Sequence, residues 1–571
     1  MLLDDAREGG RAVLYRNPDE IVEAGRPEEV RPALDRLRRA GAHAAGFLGY
    51  EAGHALEPKL APLSRAAPAD APPLLWFGLF EAGEAVDASR LADPAGAWAG
   101  PPRPLVERSA YLAAVARVKA HILAGDAYQA NLTFPAAVAT AGHPIALYAA
   151  LRRRALGGHG ALVFTGRHWL LSFSPELFFE MEAGRIVTRP MKGTAARGAD
   201  PAADAAAVRA LGEDPKQRAE NLMIVDLLRT DLSRVSRPGT VKVPALFAIE
   251  TYPTVHQMTS TITSEAECGI GPWDVVEAIF PCGSVTGAPK IRAMEIVGEV
   301  ETAARGPYTG SIGRVSPDGE AAFNVAIRTL VLKDGEAEGM LGLGSGIVAD
   351  SEAASEWREC LAKGVFVEEP IRFDLIETMR FDPREGIVDL ERHLARMKRS
   401  AAALGFAFDR HDARNELQAA TFHLRHAKRL RLLLSRSGAL AVEARPLQAS
   451  PDGPVAVACL PLPVDGADFR LRHKTSDRRF YDEARAASGA FEAVFVDADG
   501  FVTEGSFTNV FVERDGMLLT PPLSRGLLPG VLRERLIEEA RAQEAELRRD
   551  DLAAGFFVGN ALRGLMEARL A

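Results

Sequence analysis

Cysteine is scarce in this chain. Cys268, Cys282, Cys360 and Cys459 lie far apart and form no C-x-x-C pair. That spacing excludes a disulfide framework and a thiolate zinc site, and it fits reduced thiols. No run of about 20 unbroken apolar residues occurs, so no membrane-spanning helix is expected. The opening M-L-L-D-D-A-R-E lacks an apolar stretch, so no secretory signal is expected and the expected compartment is the cytoplasm. Positive charge is also in deficit: 68 Lys and Arg stand against 77 Asp and Glu, for a net charge of −9. With no long basic run, nucleic acid is not an expected partner. No internal repeat is evident.

What is present is an ordinary globular composition, 47% hydrophobic and 25% charged, in a chain too long for one core. Two Pro/Ala-rich stretches, 57–73 and 93–104, read as loops or boundaries, since proline continues neither a helix nor a central strand. A new unit is expected near Val106, where Ser109-Ala110-Tyr111 opens a helix with apolar spacing through Val115, Val118 and Ile122. Residues 161–164 and 170–173 read as strands about a turn. Residues 213–235 read as one long helix with Leu222, Val225, Leu228 and Leu232 at helical spacing. The mixture is α+β rather than a βαβ repeat. A second start is expected at Arg372, with a strand over 373–380 and a helix from Leu390. The join V-E-E-P is too short to be a flexible tether, which predicts packed halves. The expected organisation is 1–105, 106–367 and 372–571.

One lysine stands out, in R189-P-M-K-G-T194. Burial among Pro, Met and Gly favours the neutral amine, and a neutral amine is a nucleophile. A solvated lysine beside a turn fits the same residues. Glu220 lies on the long helix, and Asp350-Ser351 can cap another carrying Glu352, Glu356, Glu359 and Lys363. Carboxylates from two helices suit Mg²⁺, a hard cation that prefers oxygen; a solvated helix face fits equally. The glycine-rich Gly342–Val348 run can expose N–H groups to an anion, or be a tight turn. Arg328 can grip a carboxylate with two N–H groups.

These segments, with S174-P-E, R-A-E-N-L-M-I-V-D-L, F-P-C-G-S-V-T-G-A-P-K, G-P-Y-T-G-S-I-G and G-S-G-I-V-A-D-S, resemble the chorismate-utilising enzymes over roughly residues 107–367. The resemblance implies a chorismate-binding antiparallel β-sandwich with helices, to which the first hundred residues also contribute. A lysine in P-x-K-G-T resembles the aminodeoxychorismate synthases, whereas anthranilate synthases typically carry alanine there. It implies Lys192 as nucleophile and Glu176 as general acid/base. It further implies Glu220 and Glu359, with Glu356 beside them, as Mg²⁺ ligands. Chorismate would be held by Arg328, Tyr308 and the Gly344, Ser345 and Gly346 backbone. The family often has histidine where Gln257 stands; His256 is one place earlier and would point elsewhere on a strand. No G-x-C-x-G turn surrounds any cysteine, so ammonia from a separate glutamine amidotransferase subunit is implied.

The last third carries a second lysine in R-L-R-H-K474-T, then V-T-E504-G-S-F-T-N and L-L-P-G-V531-L-R. A Pro-Gly turn opening a helix is a phosphate seat, though each element alone also fits ordinary surface structure. Their order resembles the fold-type-IV pyridoxal-phosphate enzymes, implying an α/β domain over 372–571. By that resemblance Lys474 carries the cofactor, Glu504 faces its ring nitrogen, and Arg396, Val531, Leu532 and Asn560 hold its phosphate; a homodimer through this domain is also implied. Position 560 is often threonine in the transaminases. The fusion implies 4-aminobenzoate formation through an aminodeoxychorismate lyase. The alternatives are an anthranilate synthase-like part fused to an amino-acid transaminase, or a non-catalytic docking fold after residue 372.

Overall fold

The computed structural model describes residues 1–252, 255–368, 373–449 and 451–571. The expected start of the second unit at Arg372 and the join before it fall outside the described residues. Two compact units are present. The first comprises Met1–Leu91, Pro101–Val138 and Leu151–Glu368; the second comprises Ala92–Gly100, Ala139–Ala150 and the chain after Glu368.

The first unit is built on two sheets whose described pairings are antiparallel. Among the described residues one sheet has eleven strands, including Gln129–Ala141, Glu338–Ile347, Thr329–Lys333, His168–Ser174, His159–Phe164 and Leu2–Asp4. The other has ten, including Met191–Ala196, Val255–Glu265, Arg185–Arg189, Leu177–Glu182, Ser311–Val315 and His43–Leu48. Residues before Val106 thus add strands to both sheets. Phe47, Trp76 and Ile312 from one sheet share a buried cluster with Ala161, Val163 and Leu170 from the other. Facing apolar rows of this kind, alternating with outward residues, make a sandwich core.

The helices Pro27–Arg39, Pro215–Ser233 and Pro272–Ile279 bury an apolar stripe in a second cluster with Phe77, Phe179 and Phe323. Asp214 caps the long helix, accepting hydrogen bonds from the Lys216 and Gln217 amides at 2.8 and 3.1 Å. The expected helix over 213–235 therefore begins at Pro215. Its buried stripe is Ile224, Val225, Leu228 and Leu232, while Leu222 is half exposed. The expected cap at Asp350-Ser351 is replaced by Glu352 ahead of Ala353–Gly364. Ser351 instead accepts from the Val348 amide at 3.1 Å, turning the chain out of the sheet.

In the second unit a four-stranded sheet carries Leu375–Asp382, Lys428–Leu434 and Leu440–Pro446 in antiparallel register. An eight-stranded sheet mixes parallel and antiparallel pairs: Val455–Pro461 runs parallel to Glu492–Val496 and to Gly564–Leu570. The helix Leu390–Leu404 lays Leu394, Met397, Ala401 and Leu404 into the cluster of the four-stranded sheet. Parallel strands and covering helices make this unit α/β in character.

Candidate active sites

Lys192 and Gly193 interrupt the pairing of Met191–Ala196 with Val255–Glu265. The lysine is partly buried, and burial pulls its amine below the ordinary lysine range. Lys363 pushes the same way, while Glu176, Glu220 and Glu359 favour the ammonium. These four groups come from three separate segments, Glu359 and Lys363 sharing one helix, so the fold brings together what the sequence scatters over residues 176–363. Glu176 is 4% exposed, and burial raises its carboxyl to about 7 against hydrogen bonding from Ser284 and the Met191 backbone. Its Oε1 is buried without a hydrogen-bond partner. A carboxylic acid at this poise can give or take a proton at neutral pH.

Glu220 projects from the long helix; burial raises its carboxyl, as does the charge of Glu359, while Lys192 and Lys216 lower it. Glu359 is partly offset: burial raises it, but Lys363, at 2.7 Å, leaves it lowered overall. Lys363 also donates to the Gly344 carbonyl at 3.0 Å. Among the described residues no three carboxylate, imidazole or thiol groups converge on a metal position. Glu356 acts instead on Tyr111 and Lys216, and the i,i+4 bond to Lys363 draws Glu359 along its own helix. Glu220 and Glu359 influence one another and both act on Lys192, and Glu356 lies on the same helix as Glu359. Two carboxylates fit Mg²⁺, which leaves much of its shell to water and substrate oxygens.

Arg328 stands in a link between two strands. It lies between Ala321–Asn324 and Thr329–Lys333 with φ +51°, a left-handed conformation rare for a side chain this size. Burial pulls its guanidinium below the ordinary range, opposed only by Tyr252. The Tyr308 ring lies over Gly342, where a Cβ would come within 2.1 Å of it. Gly344 and Gly346 are pressed in the same way against Thr133 and Gln129, so close packing accounts for these glycines. Ser345 is buried, its hydroxyl 3.2 Å from that of Tyr111.

His256 lies with its ring between Asp204, at 2.8 Å, and Thr251, at 3.0 Å, away from Lys192.

The second unit assembles a site around Lys474. Burial first, then Arg396, Arg478 and Arg431, lowers its amine to about 7, with Glu377 opposing. Arg396, 4% exposed, is gripped by Glu377 through two bonds of 2.8 and 2.6 Å and donates to the Pro529 carbonyl at 3.1 Å. That last bond ties it to the start of the helix Val531–Glu538, whose first N–H groups have no intrahelical acceptor. Gly530 is required there because a Cβ would meet Asn509 Oδ1 at 1.8 Å. Glu504 is 3% exposed; burial raises it to about 7, against Arg478 and a 2.6 Å hydrogen bond from the Tyr481 hydroxyl.

Asn560 makes local hydrogen bonds. Its Nδ2 donates to the Phe507 carbonyl at 3.1 Å, and its Oδ1 accepts from the Leu562 and Arg563 amides, each at 3.0 Å. These bonds shape the turn that follows it.

Sequence reasoning missed Glu377, His393, Arg478, Tyr481 and Glu492. Glu377 carried a readable signal: a carboxylate inside the apolar strand L-I-E-T-M, facing H-L-A-R at three-residue spacing. Glu492, 0% exposed, accepts from Ser506, Phe507 and Thr508 and so fixes the turn after Glu504. A pyridoxal phosphate requires an amine, an acid toward its ring nitrogen and an anion seat. Lys474, Glu504 and the Arg396–helix start fit it, and Nη1 of Arg478 is buried with no partner of its own.

Residues 10–368 match the family described as chorismate binding enzyme, and residues 374–571 match amino-transferase class IV. The chain is 42% identical over 247 residues to aminodeoxychorismate synthase component 1 of Klebsiella aerogenes, covering 43% of this chain and 54% of that one. It is also 42% identical over 258 residues to anthranilate synthase component 1 of Streptomyces coelicolor, covering 44% and 48%. It thus spans about half the length of these relatives. Anthranilate synthase component I from Streptococcus pneumoniae shares the fold, with a TM-score of 0.55 at 24% identity over 62% of this chain and 92% of that one. With the family match spanning most of the chain and the two-sheet fold beneath it, the protein belongs to the chorismate binding enzymes and carries a class IV amino-transferase domain after them.

Proposed function

We propose that this chain makes 4-aminobenzoate from chorismate in two consecutive reactions. The first replaces the C4 hydroxyl of chorismate by ammonia delivered from a separate glutamine amidotransferase, giving 4-amino-4-deoxychorismate. The second eliminates pyruvate from that product. The observation that carries the reading is Lys192, a partly buried amine held below its ordinary range and faced by Glu176, Glu220 and Glu359. Relatives named for aminodeoxychorismate and for anthranilate synthesis match equally well, so overall identity does not choose between them. A nucleophilic lysine does, because direct attack of ammonia on the ring would not require one.

In this reading the Lys192 amine attacks C2 while the C4 hydroxyl leaves as water, taking its proton from Glu176. Ammonia then adds at C4, the double bond shifts back, and the C2–N bond to Lys192 breaks. Glu176, poised at about 7, recovers a proton from the incoming ammonia. Mg²⁺, held by Glu220 and Glu359, would neutralise substrate carboxylate charge. Arg328 and Tyr308 would orient the ring.

Pyridoxal phosphate, when bound, supplies an electron sink at the substrate amino group. Lys474 would carry the cofactor and take the proton from C4 of the substrate; loss of the enolpyruvyl group then yields an aromatic ring. Glu504 would hold a proton toward the cofactor nitrogen, and Arg396 with the Val531 and Leu532 amides would seat its phosphate. The test is product analysis from chorismate, ammonia and Mg²⁺, with and without pyridoxal phosphate. Aminodeoxychorismate is expected without it and 4-aminobenzoate with it; anthranilate in either arm would overturn the reading.

A further inference from the structure

The strand Met191–Ala196 pairs Met191 with Thr259 and Thr194 with Gln257. Lys192 and Gly193 therefore stand opposite Met258 alone, and two residues against one is a β-bulge, a device that re-aims a side chain. Gly193 sits at φ +97°, where a Cβ would press on Gln217 Oε1 and Met258 Cβ at 3.2 Å. The bulge takes Lys192 out of the alternation it would otherwise share with Thr194.

A bulge also takes backbone carbonyls out of the ladder, and buried carbonyls need partners. Here both are met by side-chain amides. Gln257 Nε2 donates to the Gly193 carbonyl at 2.8 Å, and its Oε1 accepts from the Thr194 hydroxyl at 2.9 Å. Asn221, 1% exposed, donates through Nδ2 to the Lys192 carbonyl at 3.2 Å. Its own Oδ1 accepts from the Ser260 hydroxyl at 2.6 Å, and that hydroxyl accepts from the Phe247 amide at 3.1 Å. The Ser260 amide donates to the Pro190 carbonyl at 3.2 Å, fixing the strand just before the bulge. His256 contributes nothing to this arrangement, being turned to Asp204 and Thr251.

We propose that Gln257 and Asn221 are positioning residues for Lys192, clamping the bulge from the partner strand and from the long helix so that the amine is delivered among Glu176, Glu220 and Glu359. The clamp needs N–H donors aimed at two carbonyls. It rests on the reading of Lys192 as the nucleophile. It also gives position 257 a function that His256 cannot supply from the opposite face.

Gln257→Glu keeps the size and loses the donor; Gln257→Ala loses both, and Asn221→Asp repeats the test from the helix. In ammonia-dependent turnover of chorismate by the full chain, kcat should fall at least about tenfold with KM within about twofold, since misplacing a reacting group by a fraction of an ångström spares ground-state binding. Amide hydrogen exchange over residues 191–196 should speed up in the same variants while the melting temperature stays near that of the parent. Parent kcat and parent exchange in both Gln257 variants would overturn the clamp. Lys192→Ala separates the two ideas: if it aminates chorismate at the parent rate, the nucleophile reading fails, while exchange in the Gln257 variants still decides whether the clamp holds the bulge.

Discussion

Each unit holds one lysine whose amine burial pulls below the ordinary range, yet the two surroundings have opposite sign. Lys192 faces Glu176, Glu220 and Glu359, with Lys363 the one cation among its resolved influences. Lys474 faces Arg396, Arg478 and Arg431, with Glu377 the one carboxylate among its own. Both amines are held below the ordinary range, but by different balances. At Lys192 burial prevails over a carboxylate cage; at Lys474 burial and positive charge act together. The surplus charge sets which ion each site favours. A cage of carboxylates suits a cation such as Mg²⁺ beside a reacting ring, and a cage of guanidinium groups suits phosphate and carboxylates.

The sharpest way to break this comparison is to remove each amine in turn. Lys474→Ala should lose 4-aminobenzoate formation by at least about 10³-fold, accumulate aminodeoxychorismate, and be rescued by a separate lyase. Lys192→Ala should stall before the intermediate and be rescued by supplied aminodeoxychorismate. If Lys474→Ala still yields 4-aminobenzoate at the parent rate, the second unit is a docking fold and the parallel between the lysines disappears.

The carboxylate side is tested next. Glu220→Gln and Glu359→Gln each remove a charged oxygen, so amination and Mg²⁺ affinity should fall together, on the order of 10²-fold. Conversion of supplied aminodeoxychorismate should survive both changes. Glu356→Gln should do far less, because its charge acts on Tyr111 and Lys216. Equal losses in all three variants would favour the three-ligand set read from the sequence.

These contrasts follow what the sequence could and could not carry. Lys192, Glu176, Lys474 and Glu504 could be singled out because each sits in a short motif that resembles a known family's. Helix bounds and apolar stripes were legible from periodicity, with Leu222 misplaced because a position at helical spacing can still sit at the stripe's edge. The Glu377–Arg396 pair was missed: the carboxylate in an apolar strand was a signal that a partner is needed, but its members are 19 residues apart and only the fold brings them into contact. So was the bulge at Gly193: register is a property of two strands, and one residue of slip changes which way every side chain faces.

A smaller effect concerns the positive field at Lys474. Its amine is lowered to about 7, so it is protonated below that pH and neutral above it. Uptake of pyridoxal phosphate by the cofactor-free protein needs the neutral amine. The uptake rate, followed by absorbance, should rise about tenfold per pH unit below 7 and level off above it. A rate still climbing through pH 9 would show an ordinary lysine and remove the guanidinium groups from the account.

The smallest effect should come from Asn560. Its carbonyl oxygen accepts from Leu562 and Arg563 and its amide donates to Phe507, so the bonds it makes hold the turn. Asn560→Asp keeps the two accepted bonds and loses the donated one. The expected cost is about 1 kcal/mol of stability in the second unit, the usual worth of one such bond. Cofactor affinity, from a fluorescence titration, should stay within about threefold, because a charge that never meets the phosphate repels it little once screened. A direct contact predicts the reverse: a carboxylate set against phosphate exchanges a donated hydrogen bond for like-charge repulsion at short range, and binding should weaken by tenfold or more. That result would place Asn560 in the phosphate seat and leave Arg396, already half neutralised by Glu377, with a smaller share of it.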